Sequence, residues 1–79
     1  MIVRLDELQL GQRALITQVQ SQDPELTRRL LELGVIEHSE IQVIKEAPFG
    51  RDPILVRVRG ALIGLRRNEA SAVQVEILK

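Results

Sequence analysis

The chain has 79 residues, 44% hydrophobic and 28% charged, with 11 acids balancing 11 bases for a formal net charge of +0. That balance speaks against a general polyanion binder, because backbone phosphate contacts need a surplus of Lys and Arg. With no Cys there is no disulfide or thiolate metal site, which fits a reducing compartment, and a core in a chain with one Phe, no Tyr and no Trp must be built from Leu, Ile and Val.

The length allows one domain, spanning 1–79, that buries roughly 60 to 65% of its unfolded surface. No stretch approaches the roughly 20 apolar residues of a membrane span, and the start, MIVRLDELQLGQ, is too charged for a signal peptide. The expectation is a soluble, cytoplasmic chain.

Leu5, Leu8 and Leu10, closed by Gly11, read as a short turn that tucks leucines under the domain. Arg13 to Val19 is strand-like, with Ala14 and Ile16 on one side and Leu15, Thr17 and Val19 on the other. The segment DPELTRRLLELGVI, Asp23 to Ile36, is a helix with both ends written in. Asp23 suits the cap, Pro24 the first helical position, and Gly34 the left-handed stop that places Val35 against Leu30. Leu26, Leu30, Leu31 and Leu33 form its apolar stripe, and Glu25, Arg28, Arg29 and Glu32 its charged side. So short a helix is marginal alone in water, so the stripe must rest on a sheet.

Glu40 to Ala47 alternates Ile41 and Val43 against Gln42 before Ile44 blurs the pattern. Ala47-Pro48-Phe49-Gly50 then has Pro and Gly at turn positions, and Pro53 biases Asp52 to an extended shape. Gly60-Ala61 suits a two-residue hairpin turn, which would set Val58 opposite Ile63 and Val56 opposite Leu65, with Val56, Val58, Ile63 and Leu65 on one face and arginines on the other. Asn68 to Ser71 offers a cap and one helical turn, and Val73, Val75 and Ile77 alternate as a closing strand. The sum is a mainly β fold: about five short strands in a small antiparallel barrel, with one α-helix inserted after the first strand.

Catalysis has few candidates. His38 is the sole histidine, and Ser21, Ser39 and Ser71 sit in turns without an evident base. Glu37, His38 and Glu40 cluster after the helix, but one exposed turn rarely supplies the convergent ligands of a metal site, so no metal or cofactor is assigned. A binding surface remains. Phe49 stands beside Pro48 and Arg51, and such residues often anchor interfaces; the alternative is that Phe49 folds back to close one end of the barrel. Charge is unevenly spread: six acids face Arg28, Arg29 and Lys45 between Gln20 and Glu46, whereas five arginines face only Asp52 between Arg51 and Arg67. The candidate partner-binding residues are Arg28, Arg29, Phe49, Arg51 and Arg57. A basic patch of Arg57, Arg59 and Arg66 could instead hold nucleic acid, although this chain lacks stacking aromatics.

LDELQLGQRALI, RRLLELGVI and VRVRGALIGLRRNEASAVQVE, in that order, resemble the FeoA family of bacterial ferrous iron transport. Arg29, Leu30, Leu33 and Gly34, then Ala47 to Gly50 with Asp52 and Pro53, then Arg59, Gly60, Leu65, Arg66, Glu69 and Ala70 carry the likeness. It implies an SH3-like barrel that is no enzyme and docks on the FeoB-type GTP-binding permease, supporting or regulating ferrous iron uptake. The same domain resembles the C-terminal module of DtxR-type repressors, which leaves a regulatory module as the alternative. The absence of an upstream helix-turn-helix favours a standalone accessory protein. A third reading, a ferrous iron carrier, would use His38. Members often show Pro-Gly after the helix where this chain has Glu37 and His38, so that turn is expected to differ.

Overall fold

The computed structural model describes residues 1–78. It has six strands, β1 (Ile2–Arg4), β2 (Arg13–Val19), β3 (Glu40–Glu46), β4 (Ile54–Val58), β5 (Ala61–Leu65) and β6 (Val73–Ile77), with helix α1 (Pro24–Glu32) between β2 and β3 and a single-turn helix α2 (Arg67–Ala70) before β6. All pairings are antiparallel, in the order β1-β6-β2-β3-β4-β5. The mainly β class is as the sequence indicates. One strand more is present, so α1 follows the second strand, and among the described residues β1 and β5 end the order without pairing to each other. β1 escaped sequence reading because three half-exposed residues carry no periodicity; its place is set by β6, where Val3 lies opposite Val75.

The core is aliphatic, as the composition requires: Ile16, Ile41, Ile54, Leu65 and the valines 35, 43, 56, 58, 73 and 75 are buried. Leu5 and Leu8 close one side of it, but Leu10 stays exposed, so the leading turn tucks in two leucines rather than three. The blurred alternation at Ile44 has a cause. The β3–β4 register shifts between Val43 and Lys45, so Ile44 is the extra residue of a bulge.

α1 starts and stops where its caps place it. The Asp23 carboxylate accepts from the Glu25 N–H at 3.0 Å, Gly34 turns to φ 99°, and the N–H groups of Gly34 and Val35 donate to Leu31 and Leu30 carbonyls, each at 3.0 Å. Asp23→Ala should therefore cost about 1 kcal/mol in chemical denaturation, and an unchanged midpoint would show the cap to be idle. The expected stripe is narrower than four leucines. Leu30 is buried and Leu26 partly so, whereas Leu31 and Leu33 remain exposed, since Leu31 is turned about 100° from Leu30 and both cannot face one sheet. The turn after the helix, Glu37-His38, is made by His38 adopting φ 73° and donating its N–H to the Ile16 carbonyl at 2.7 Å.

The β4–β5 hairpin corrects the expected register by two residues. Its turn is Arg59-Gly60, at φ 51° and 80°, so Val58 pairs with Ala61, Val56 with Ile63 and Ile54 with Leu65. A two-residue shift keeps every side chain on its face, so Val56, Val58, Ile63 and Leu65 still point inward. A Gly60-Ala61 turn would draw Arg66 and Arg67 into the ladder. The observed one frees Arg66 to cap α2, where Glu69 accepts from the Arg66 N–H at 2.9 Å; Asn68 is not the cap.

Candidate partner-binding surface

The five residues singled out from sequence fall into two groups. Arg28 and Arg29 lie on α1, along a groove of about 450 Å³ between α1 and α2. Both are already engaged: Arg28 donates to Glu25 at 2.7 Å, and Arg29 pairs with Glu69 of α2. The groove lining sets four acids, Asp23, Glu25, Glu32 and Glu69, against these two arginines.

Phe49, Arg51 and Arg57 belong to a second region, the loop after β3 and the outer face of β4. Phe49 is 90% exposed, so it does not fold back onto the core, and the sheet is not closed into the expected barrel, since β1 and β5 are not paired among the described residues. Among the described residues, Arg51, Arg57, Arg59 and Arg66 join no ion pair, whereas Arg4, Arg13, Arg28, Arg29 and Arg67 all do. Four of the five arginines in the basic excess read from the sequence are therefore outside any ion pair among the described residues. Arg4, by contrast, is engaged locally: its guanidinium hydrogen-bonds Asp6, which raises its pKa.

Arg67 is a site residue that sequence reasoning missed. Its guanidinium donates to Glu46 at 2.6 Å and to the carbonyls of Arg51 and Asp6 at 2.7 Å each, while its backbone N–H reaches Asp52 at 3.0 Å. One side chain thus holds the Phe49 loop to the end of β3, to α2 and to the turn after β1. Only the run of two arginines, with Asp52 as the lone acid nearby, hinted at a special role. No sequence signal names partners that far away.

The turn cluster does not converge on a metal position. Glu40 points to Arg13 at 3.3 Å, and among the described residues no group of three or more His, Asp or Glu side chains is gathered around one point. Ser21 and Ser71 are spent on backbone groups of Asp23 and Asn68. Among the described residues, no helix is long and apolar enough to cross a membrane. What the surface offers is recognition: an exposed aromatic on a loop braced by Arg67, and arginines outside any ion pair among the described residues at 51, 57, 59 and 66.

The family model described as FeoA domain matches residues 3–77. A Fe(2+) transport protein A/Fe(2+) transporter FeoB fusion protein of Porphyromonas gingivalis (strain ATCC BAA-308 / W83) is 34% identical over 76 residues, which are 96% of this chain and 9% of that protein. The chain thus corresponds to a small part of that relative. The solution structure of a FeoA protein from Chlorobium tepidum is 42% identical, with a TM-score of 0.88 over 98% of this chain and 71% of that one. FeoA of Stenotrophomonas maltophilia, crystallised with zinc and described as a procaryotic SH3 domain protein, is 34% identical with a TM-score of 0.83, over 94% and 89% of the two chains. The fold is SH3-like, and the chain belongs to the FeoA domain family.

Proposed function

We propose that this domain is a non-enzymatic accessory of ferrous iron transport that docks on a FeoB-type GTP-binding permease and supports or regulates it. The observation that carries this reading is the relative in which a matching domain is continuous with the FeoB transporter, because fusion holds two partners at high effective concentration. Phe49, Arg51 and Arg57 are the residues best placed to make the contact, being exposed and unspent within the fold. Arg28 and Arg29 already hold carboxylates of this chain and contribute less.

The test is an NMR titration of the labelled chain with the isolated cytosolic domain of such a permease, with and without a GTP analogue. Shifts concentrated on 48–66 are expected, with about tenfold weaker binding for Phe49→Ala or Arg57→Glu. Absence of shifts at high partner concentration would overturn docking on the cytosolic domain.

A further inference from the structure

The outer face of the β4–β5 hairpin carries three features that the fold itself does not use. The first is Gly64. Its φ is not in the left-handed region, and a Cβ added there would meet nothing within 4 Å, so neither backbone strain nor packing within the chain demands glycine. A glycine in the interior of a strand otherwise weakens it, and frequently marks close approach by another backbone. Beside it is a groove of about 210 Å³, lined by Lys45, Glu46, Ala47, Pro53, Ile54, Leu55 and Gly64, in which the Glu46 carboxylate is already paired with Arg67.

The second feature is a strand edge. β5 pairs only with β4. In a hairpin closed by a two-residue turn, the pairs Val58–Ala61, Val56–Ile63 and Ile54–Leu65 exchange the ladder bonds, which aims the N–H and C=O groups of Leu62 and Gly64 away from β4. No loop or cap backbone group bonds to either residue. Leu62 is 56% exposed on the same face as Gly64, two residues away. The third feature is charge. Arg57, opposite Leu62, and Arg66, just past Leu65, are exposed and join no ion pair among the described residues.

We propose that β5 is a docking edge that takes up an extended acidic segment of a partner protein as an added antiparallel strand, with an apolar side chain over Gly64 and carboxylates toward Arg57 and Arg66. The proposal deepens the docking reading above and rests on it for the partner's identity. The free backbone groups of Leu62 and Gly64 supply main-chain hydrogen bonds, the groove selects one apolar residue, and the arginines select flanking acids. A second copy of this chain fits poorly. Two β5 edges related by a two-fold axis through Ile63 would set against Arg57 and Arg66 an edge that carries no Asp or Glu, so the charge of each copy would stay uncompensated. A nucleic acid would leave the strand edge and the groove unused, and Phe49 is the sole aromatic to stack a base.

The probe is the capped peptide Ser-Glu-Val-Leu-Val-Glu-Ser, titrated into the labelled chain beside its Lys-for-Glu counterpart and a single-stranded oligonucleotide. The acidic peptide should shift the amides of 61–66 and slow hydrogen exchange at Leu62 and Gly64. Gly64→Val should lower its affinity about tenfold while the melting temperature holds or rises, because β-branched residues favour strands and the site is open. A chain that ignores the acidic peptide, prefers the Lys peptide or the oligonucleotide, or binds equally well as Gly64→Val overturns the added strand. Failure of the permease domain to bind a chain that does take the acidic peptide would instead overturn the identity of the partner.

Discussion

Leu30→Ala is expected to cost about 3 kcal/mol of folding stability, within the range of roughly 2 to 5 seen when a buried leucine is cut back to alanine. Leu30 is the one fully buried side chain of α1, at 1% exposure, and its carbonyl also receives the Val35 N–H that ends the helix. Its removal takes away the contact that holds a nine-residue helix to the sheet, and such a helix is not stable alone. A domain of this size has roughly 4 to 10 kcal/mol in total, so the variant should be partly unfolded near physiological temperature. With no Trp or Tyr for fluorescence, urea denaturation followed by far-UV circular dichroism is the suitable readout. Leu31→Ala is the control, since Leu31 is 47% exposed and should cost less than about 0.5 kcal/mol. Equal losses for the two variants would mean that α1 does not rest on Leu30.

Arg67→Ala should cost about 2 kcal/mol and loosen the Phe49 loop. The guanidinium is a quarter exposed and the Glu46 side chain less so, so the pair is more than a surface salt bridge, whose contribution is usually small. Removing Arg67 leaves the Glu46 carboxylate and the Arg51 and Asp6 carbonyls without their donor. Arg67→Lys should recover only part of the loss, because the three N–H groups of an ammonium radiate from one nitrogen, whereas Arg67 meets its three acceptors from three separate nitrogens. A double-mutant cycle with Glu46→Gln separates the ion pair from the carbonyl bonds. Amide exchange at 47–52 should rise in Arg67→Ala while exchange at β2 and β6 stays slow. If loop exchange does not change, the loop holds its shape through Asp52 and Ala47 alone.

Elements that depend on near neighbours in the chain are legible in the amino-acid sequence itself. Asp23, Pro24 and Gly34 bound α1 because each cap bond joins residues two to five positions apart. The alternation through Val56, Val58, Ile63 and Leu65 specifies the inward face of the hairpin, because side chains in a strand alternate whatever the register. The register itself is not legible. Gly60-Ala61 and Arg59-Gly60 are both acceptable two-residue turns, and the choice is made by what lies beyond the hairpin: Arg66 has to cap α2, and Arg67 has to reach Glu46.

The candidate surface divides in the same way. The excess of arginines after Arg51 is visible as composition, and Phe49 as the lone aromatic. Which arginines are free is decided in three dimensions: Arg29 meets Glu69 across 40 positions and Arg67 meets the Asp6 carbonyl across 61, while Arg57 and Arg66 join no ion pair among the described residues. By itself the sequence determined the aliphatic core, the capped helix, the mainly β class and the family likeness. Each follows from local propensity, periodicity or the order of short motifs. Only the tertiary structure decided the pairing of β1 with β6, the open edge at β5, the groove over Gly64 and the anchoring by Arg67. Those features arise where distant segments meet on a curled sheet, and no local pattern encodes the meeting.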